Sequence, residues 1–341
     1  MRHLFEARLV DASGAEPGLV VDFRDERRTI LFDLGDLTPL RPRDLLRVSH
    51  AFVTHAHMDH FAGFDHLLAV VLGRHERFTV FGGPGFVDQV EHKLRAYTWN
   101  VVHRYEVPLT IEARAMSPDG TVERARFSTL DRFAREDHAS LALADDTVHD
   151  EATFRVRARF VDHETPCLAY AIEEKARVNV AKDRVAALGL TPGPWLRELK
   201  QAILAGAPES APIVVRWSDR DGTHERHHTV GDLAHVLLDV ARGQRVGYAT
   251  DLRGTEENAR TLATLFEGVD QLFIESVFLD ADREHAERKN HLTARQAGAI
   301  ARRAGAKALV PFHFSPRYEG REAELVEEAR AAWQGQMSSF A

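Results

Sequence analysis

The stretch Thr54-His55-Ala56-His57-Met58-Asp59-His60 places four side chains able to hold a metal ion, His55, His57, Asp59 and His60, within six positions. An apolar run, His50-Ala51-Phe52-Val53-Thr54, leads into them, and Phe61-Ala62-Gly63-Phe64 follows. Imidazole and carboxylate are donors that Zn²⁺ and similar ions prefer. On a loop leaving a strand, His55 and His57 point to one side and chelate one ion. Asp59 and His60, where the chain turns into a helix, are free to serve a second. Two ions side by side hold a hydroxide between them and clamp an oxyanion leaving group. The alternative is a His-rich surface turn in a chain with 19 histidines. Spacing, order and the preceding strand point instead to a metal site.

One loop cannot complete two sites, so further ligands are expected at the ends of later strands. His163 follows the strand-like Phe154–Asp162, Asp251 follows Arg245–Thr250, and His313 lies late in the run beginning Leu309-Val310-Pro311-Phe312. Singly, such a strand-end residue is more often a cap or a surface residue. Together they complete two sites: His55, His57 and His163 for one ion, Asp59, His60 and His313 for the other, with Asp251 bridging. An anionic bridge reduces repulsion between two dications. Glu275 ends the strand-like run Gln271–Ile274, and His291 precedes Thr293, a candidate helix cap. A His held by a carboxylate is a suitable proton donor to a leaving alkoxide. Beside that stands the plainer reading, in which Glu275 pairs with an arginine and His291 caps its loop.

The elements that must position these residues are short. Apolar strands alternate with turns at Leu4–Val10, Leu19–Phe23, Thr29–Leu34 and Ala51–Thr54. Phe61–Leu72 has helical spacing, Phe78–Phe81 reads as a strand, and Gly85–Tyr97 as the next helix. Strands return at Phe154–Asp162 and Leu168–Ile172. After an interruption, strand–helix alternation resumes from Arg245 and closes with a charged helix, Arg321–Trp333. Strands followed by helices in both halves predict an α/β sandwich, two sheets covered by helices on both sides. The interruption, residues 175–242, holds Pro192-Gly193-Pro194-Trp195, a helical Leu196–Leu204 and a polar hairpin-like Trp217–Thr229. It reads as an arm inserted into a single domain spanning residues 1–341.

Composition narrows the class further. At 341 residues with 44% hydrophobic and 28% charged residues, the chain is an ordinary globular protein with room for a large core. Its single cysteine, Cys167, excludes an internal disulfide and a zinc–thiolate cluster, and fits a reducing cytoplasm. No apolar run approaches the ~18 residues of a membrane span, and a net charge of −8 argues against a generally basic surface.

Taken in order, these motifs resemble the metallo-β-lactamase superfamily and, within it, ribonuclease Z, the endonuclease that trims tRNA 3′ ends. The His-x-His-x-Asp-His loop is shared across the superfamily. Narrower are Asp162–Tyr170, similar to the family's His-containing segment ending in Gly-Tyr; Leu190–Pro194, similar to the Pro-Pro-Gly-Pro element of its arm; and Ala249-Thr250-Asp251, standing where the family has Gly-Asp-Thr. Ile274–Phe278 resembles its Glu-Ala-Thr-Phe segment, Asn290–Thr293 its His-Ser-Thr, and His313–Tyr318 its His-x-Ser-x-Arg-Tyr. The family's N-terminal Gly-Thr-Gly loop has no good counterpart in Leu9–Gly14, and Ala169 and Ala249 replace family glycines. The resemblance implies a metallo-β-lactamase αββα fold (two mixed sheets flanked by helices) with a protruding arm. It also implies two zinc ions (manganese or iron fitting the same donors), Asp59, Glu275 and His291 as catalytic residues, and Arg317 on a substrate phosphate. A tRNA precursor is the implied substrate, cut by a homodimer in which one subunit's arm serves the other's site. Between Lys175 and Lys200, six basic residues (Lys175, Arg177, Lys182, Arg184, Arg197 and Lys200) stand against Asp183 and Glu198, which suits phosphate contact. The competing expectation is a hydrolase of small phosphodiesters, lactones or thioesters on the same fold.

Overall fold

A computed structural model of the chain describes residues 3–24, 26–175, 177–204, 206–219 and 222–336. The first eight strands are β1 (Phe5–Leu9), β2 (Leu19–Phe23), β3 (Arg28–Phe32), β4 (Val48–Phe52), β5 (Arg77–Gly82), β6 (Thr110–Met116), β7 (Thr121–Ser128) and β8 (Arg135–Ala142). They form one sheet in sequence order. Strands β3 to β6 run parallel and the flanking pairs antiparallel. Parallel neighbours need crossovers, supplied by Gly63–Val71 between β4 and β5 and by Phe86–Arg95 between β5 and β6. Phe64, Leu67, Leu68 and Val71 on the first helix, and Phe86, Val87, Val90 and Leu94 on the second, recur at helical spacing. They bury one face of the sheet together with Ala51, Val53, Phe78, Val80 and Ile111.

Three strands follow, β9 (Thr147–Asp150), β10 (Phe154–Asp162) and β11 (Pro166–Glu174), and then the insertion with β12 (Arg177–Val180), β13 (Pro212–Asp219), β14 (Gly222–Thr229) and β15 (Leu238–Ala241). The chain returns through β16 (Arg245–Ala249), β17 (Gln271–Glu275) and β18 (Leu309–Phe312). The second sheet has the order β18-β17-β16-β11-β10-β9, with β16, β17 and β18 parallel. Helices Glu256–Leu265, Ala294–Arg303 and Glu322–Trp333 cover its outer face through Leu262, Leu265, Ala297, Ile300, Leu325 and Ala329. Thr293 caps the second of these in a reciprocal box with Gln296. Between the sheets, aromatic rings fill the gap. Tyr170 lies 5.5 Å from Phe32 and 5.6 Å from Phe52, and Tyr248 lies 6.0 Å from Phe32, centroid to centroid. The architecture is the expected sandwich of two mixed sheets between helical layers.

Residues 174–243, with 152–154, form a second compact unit. It has a core of its own, including Val185, Trp195, Leu199, Val215, Leu233 and Leu237. β12 pairs with β15, and β13 with β14 in a hairpin longer than the sequence suggested. Trp195 follows Pro192-Gly193-Pro194, starts the helix Trp195–Leu204 and donates its indole N–H to Thr191 O at 2.9 Å. Of the six basic residues noted there, the side chains of Arg177 and Lys182 lie outside the described set.

Strands β6 to β9 were not foreseen. Their apolar residues are small or interrupted by arginines, as in Thr110-Ile111-Glu112-Ala113-Arg114-Ala115-Met116, and β8 is almost wholly exposed. β6 does alternate buried and part-buried positions, but alanine at two of the buried ones leaves a weak apolar signal, and β8 has little to bury.

Candidate metal centre

The site forms where strands of both sheets end. β4 stops at Phe52, and the Val53 N–H still reaches Phe81 O on β5 at 2.7 Å. Beyond it, Thr54 donates its N–H to Asp33 Oδ1 at 2.7 Å, which sets the direction of the His-rich loop. His57 then stands as N-cap of the short helix Met58–Phe61, which carries Asp59 and His60. From the other sheet come His163 after β10, Asp251 after β16, Glu275 at the end of β17 and His313 after β18. Asp33, Asp251 and His313 all have positive φ (61°, 56° and 58°), as do Glu164 and Asn290 beside His163 and His291. Such turns are uncommon for side-chain-bearing residues. Here they swing each residue off its strand axis toward one place.

The structure brings every expected ligand together. Potential donor atoms of His55, His57, His163 and Asp251 lie within 4.8 Å of one another, as do those of Asp59, His60 and His313. Asp251 sits between the two groups: its Oδ2 is 3.4 Å from Nε2 of each of His55, His60 and His163, and its Oδ1 is 3.1 Å from His313 Nδ1. The ring nitrogens on the far side are engaged. His60 Nδ1 is 2.9 Å from Asp33 Oδ2, His163 Nδ1 is 2.8 Å from Asn290 O, and His55 Nδ1 is 3.1 Å from Thr54 Oγ1. The Nε2 atoms of His55 and His60 are buried without a hydrogen-bond partner. Imidazoles anchored at Nδ1 and presenting orphaned Nε2 atoms around a shared carboxylate have the arrangement of a metal site with its outer support in place. The His/Asp clusters fit a di-metal centre.

Electrostatics agree with dense, mutually dependent charges. Burial pushes His55 down to about 3, with repulsion from His60 adding to it. Burial opposes protonation of His60 and His313 as well, but Asp251 outweighs it, helped by Asp33 at His60 and by Glu275 at His313, which reaches about 10. Asp59 is lowered to about 2, first by the adjoining His60 imidazole, 3.3 Å away at Nε2. A cluster that gathers protons this way offers the same stabilisation to metal cations, which compete for the same atoms.

Glu275 and His291 form the expected pair, with His291 Nδ1 3.0 Å from Glu275 Oε2. The alternative of an arginine partner for Glu275 does not occur. Its fully buried carboxylate instead accepts the N–H of Asp251 at 2.8 Å and of Leu292 at 2.8 Å, tying the Asp251 turn to the His291 turn. Burial opposes ionisation, yet the His291 charge and hydrogen bond hold Glu275 down at about 2. Reciprocally, Glu275 raises His291 against its own burial. Arg317 is not drawn into the cluster: its Nη1 is 3.3 Å from Asp282 Oδ1. A cavity of about 650 Å³ opens beside Asp59, His291 and His313.

Two things escaped the sequence reading. Asp33 is fully buried and accepts from Thr54 and Tyr248 while facing His60, so it is the hub that fixes the loop. Its only signal was an Asp closing a strand before Leu34-Gly35. His50, His149 and Glu151 form another group of metal-type donors, but Arg28 occupies Glu151 with both Nη atoms, so a cation is already supplied.

Comparison with known proteins follows the same line. Residues 208–314 match the model of a beta-lactamase superfamily domain. Ribonuclease Z of Deinococcus radiodurans is 33% identical over 308 residues, covering 89% of this chain and 86% of that protein. The chain belongs to the ribonuclease Z family. Ribonuclease Z of Bradyrhizobium diazoefficiens is 30% identical over 333 residues, covering 95% of this chain and 91% of its own. Human tRNase Z, short form, shares the fold with a TM-score of 0.51 at 17% identity, over 89% of this chain and 87% of that one. The metallo-β-lactamase fold protein YhfI of Bacillus subtilis does so at 0.52 and 15%, over 94% and 86%. As a ribonuclease Z family member the chain is a hydrolytic endoribonuclease, and its departures from the family pattern become structurally specific. Ala169 and Ala249 are fully buried in the second-sheet core, where their methyl groups add apolar contact. The altered N-terminal loop lies at the site itself, with Gly14 O accepting the His313 N–H at 2.6 Å.

Proposed function

We propose that this chain removes 3′ trailers from tRNA precursors by phosphodiester hydrolysis at a di-zinc centre. His55, His57 and His163 would hold one ion, Asp59, His60 and His313 the other, and Asp251 both. Manganese or iron suits the same donors, and imidazole with carboxylate is a set that zinc would also take. When bound, the ions lower the pKa of water and neutralise charge on the transferring phosphoryl group. The protein's residues do the rest. Asp59, half-exposed beside the cluster, orients the attacking water as well as binding metal. Glu275 fixes His291 and favours its protonated form, so that His291 gives its proton to the departing 3′-oxygen. Arg317, tied to Asp282 through one nitrogen, presents its remaining donors to a substrate phosphate. The observation that carries this reading is the buried Glu275, which links the bridging carboxylate's backbone to the proton-donating imidazole.

The inserted unit, residues 174–243, would grip the precursor in a homodimer, one subunit's insertion serving its partner's site. No helix among the described residues is long and apolar enough to cross a membrane, and a free, buried Cys167 suits a reducing cytoplasm. Incubation of metal-replete protein with a precursor tRNA carrying a 3′ trailer, alongside bis(p-nitrophenyl) phosphate, tests the reading. Cleavage immediately at the trailer junction is expected; turnover of the small diester with an intact precursor would instead indicate the small-molecule hydrolase.

A further inference from the structure

The cavity beside the cluster has a chemistry that the reaction centre does not explain. Its inner wall is apolar: Phe278 and Phe314 are nearly buried there, and the His285 ring stands edge-on to Phe278 at 5.0 Å. Besides Asp59 and the imidazoles of His291 and His313 on the side of the cluster, its lining holds three glutamates, Glu16, Glu319 and Glu322, with Lys289 and His285. Glu16 belongs to the altered N-terminal loop, which is held in shape by Asp11 accepting the N–H groups of Ser13 and Ala15. The cavity reaches His291 and Asp59, so whatever enters it adjoins the scissile bond.

The three glutamates make this part of the lining a poorer seat for a phosphate than the side that carries His291 and His313. A nucleobase is not disfavoured there. Its faces need an apolar wall, and a carboxylate accepts from an exocyclic amino group as it does from cytosine N4 or adenine N6. The volume of about 650 Å³ admits one nucleotide with its sugar. We infer that this cavity holds the base of the nucleotide whose 3′-oxygen departs, and that Glu16 and Glu319 select for an amino-bearing base at that position. The strand is then splayed at the cut, and the loop that departs from the family pattern sets the sequence preference of cleavage. The assignment of the nucleotide to the leaving-group side rests on the proposed role of His291, and the whole inference rests on the endonuclease reading.

The test uses precursor tRNAs differing only in that base, adenine against unsubstituted purine, and reads the ratio of kcat/KM for the two. The wild-type protein is expected to favour adenine by about tenfold, the discrimination ordinarily carried by one base-edge contact. In the Glu16→Ala/Glu319→Ala double variant the ratio should fall to about one. Both glutamates are exposed, and general damage to the fold would lower both rates while leaving their ratio alone. A wild-type ratio near one, or an undiminished ratio in the double variant, overturns the pocket assignment while the endonuclease reading stands. Absence of any precursor cleavage by wild-type protein that still turns over bis(p-nitrophenyl) phosphate overturns both.

Discussion

Removing Asp251 takes away the only carboxylate among the described residues in contact with imidazoles of both ligand groups, and leaves His55, His60 and His163 facing one another in a buried space. Asp251→Ala is therefore expected to lose at least one ion and about 10³-fold or more of turnover, electrostatic stabilisation being the largest contribution to such reactions. Metal analysis on the purified variant, beside precursor cleavage, checks both parts. His291→Ala separates ligand from acid. It should keep full metal content and lose roughly 10²- to 10⁴-fold in kcat, the range of a positioned proton donor; full activity in this variant would remove His291 from the mechanism. Asp33 acts one step further out. Asp33→Asn keeps the shape but weakens the partner of His60 Nδ1, so metal affinity should fall about 10- to 100-fold, as for other outer-shell carboxylates. A chelator-competition titration reads that directly. Asp33 was not distinguishable from other strand-end acids in the sequence, because its partners Tyr248 and His60 come from positions far apart in the chain.

At the level of elements, the metal loop depends on two close backbone approaches. A Cβ on Gly63 would stand 2.1 Å from Gly35 O, and one on Gly35 would stand 2.3 Å from Asp59 O. The turn after β3 and the start of the helix Gly63–Val71 thus interlock, with Gly63 N–H bonded to Leu34 O at 2.7 Å and Leu34 N–H to His60 O at 2.8 Å. Gly63→Ala forces these segments apart. A destabilisation of about 1–3 kcal/mol is expected from overpacking, measured by denaturant unfolding, together with weaker metal retention. The insertion is joined to the sheet in a way that permits its removal: Glu173 on β11 and Arg245 on β16 are directly paired. A two- to four-residue hairpin turn replacing residues 174–243 bridges such a pair. That variant should fold, retain metal and hydrolyse bis(p-nitrophenyl) phosphate, yet cut precursor tRNA poorly. Equal precursor cleavage with and without the insertion would deny it a role in gripping RNA.

Over the whole molecule, charge pairs outside the site add to the response to acid. The hydrogen bond from Arg28 holds Glu151 down at about 2 despite its partial burial, and His149 adds to it. Burial pushes Glu173 up, but Arg155, Arg245 and Arg157 outweigh it and keep its carboxyl below the usual range. Both groups bind fewer protons folded than unfolded. Their stabilisation is fully present above the unfolded carboxylate value near 4.5 and is lost as pH falls toward 2. The melting temperature, measured with chelator present to exclude metal effects, should drop across that window. Glu151→Gln should start lower at pH 7 and drop less steeply; parallel curves would show that Glu151 is not among the responsible groups. The same large-scale view separates what each level decided. Residue order alone marked out the donors that the structure gathers at one place, because His-x-His-x-Asp-His and the strand-end His163, Asp251 and His313 are local patterns of donor type and spacing. It determined the layered fold as well, through apolar periods that change from strand to helix. Tertiary structure alone decided that Asp33 is the hub of the His-rich loop, that Glu275 joins Asp251 to His291, and that the altered N-terminal loop forms one wall of the cavity beside the cut. It alone also revealed β6 to β9. Those features depend on which distant strand ends meet, and no local pattern of residues encodes a meeting that the packing of two sheets brings about.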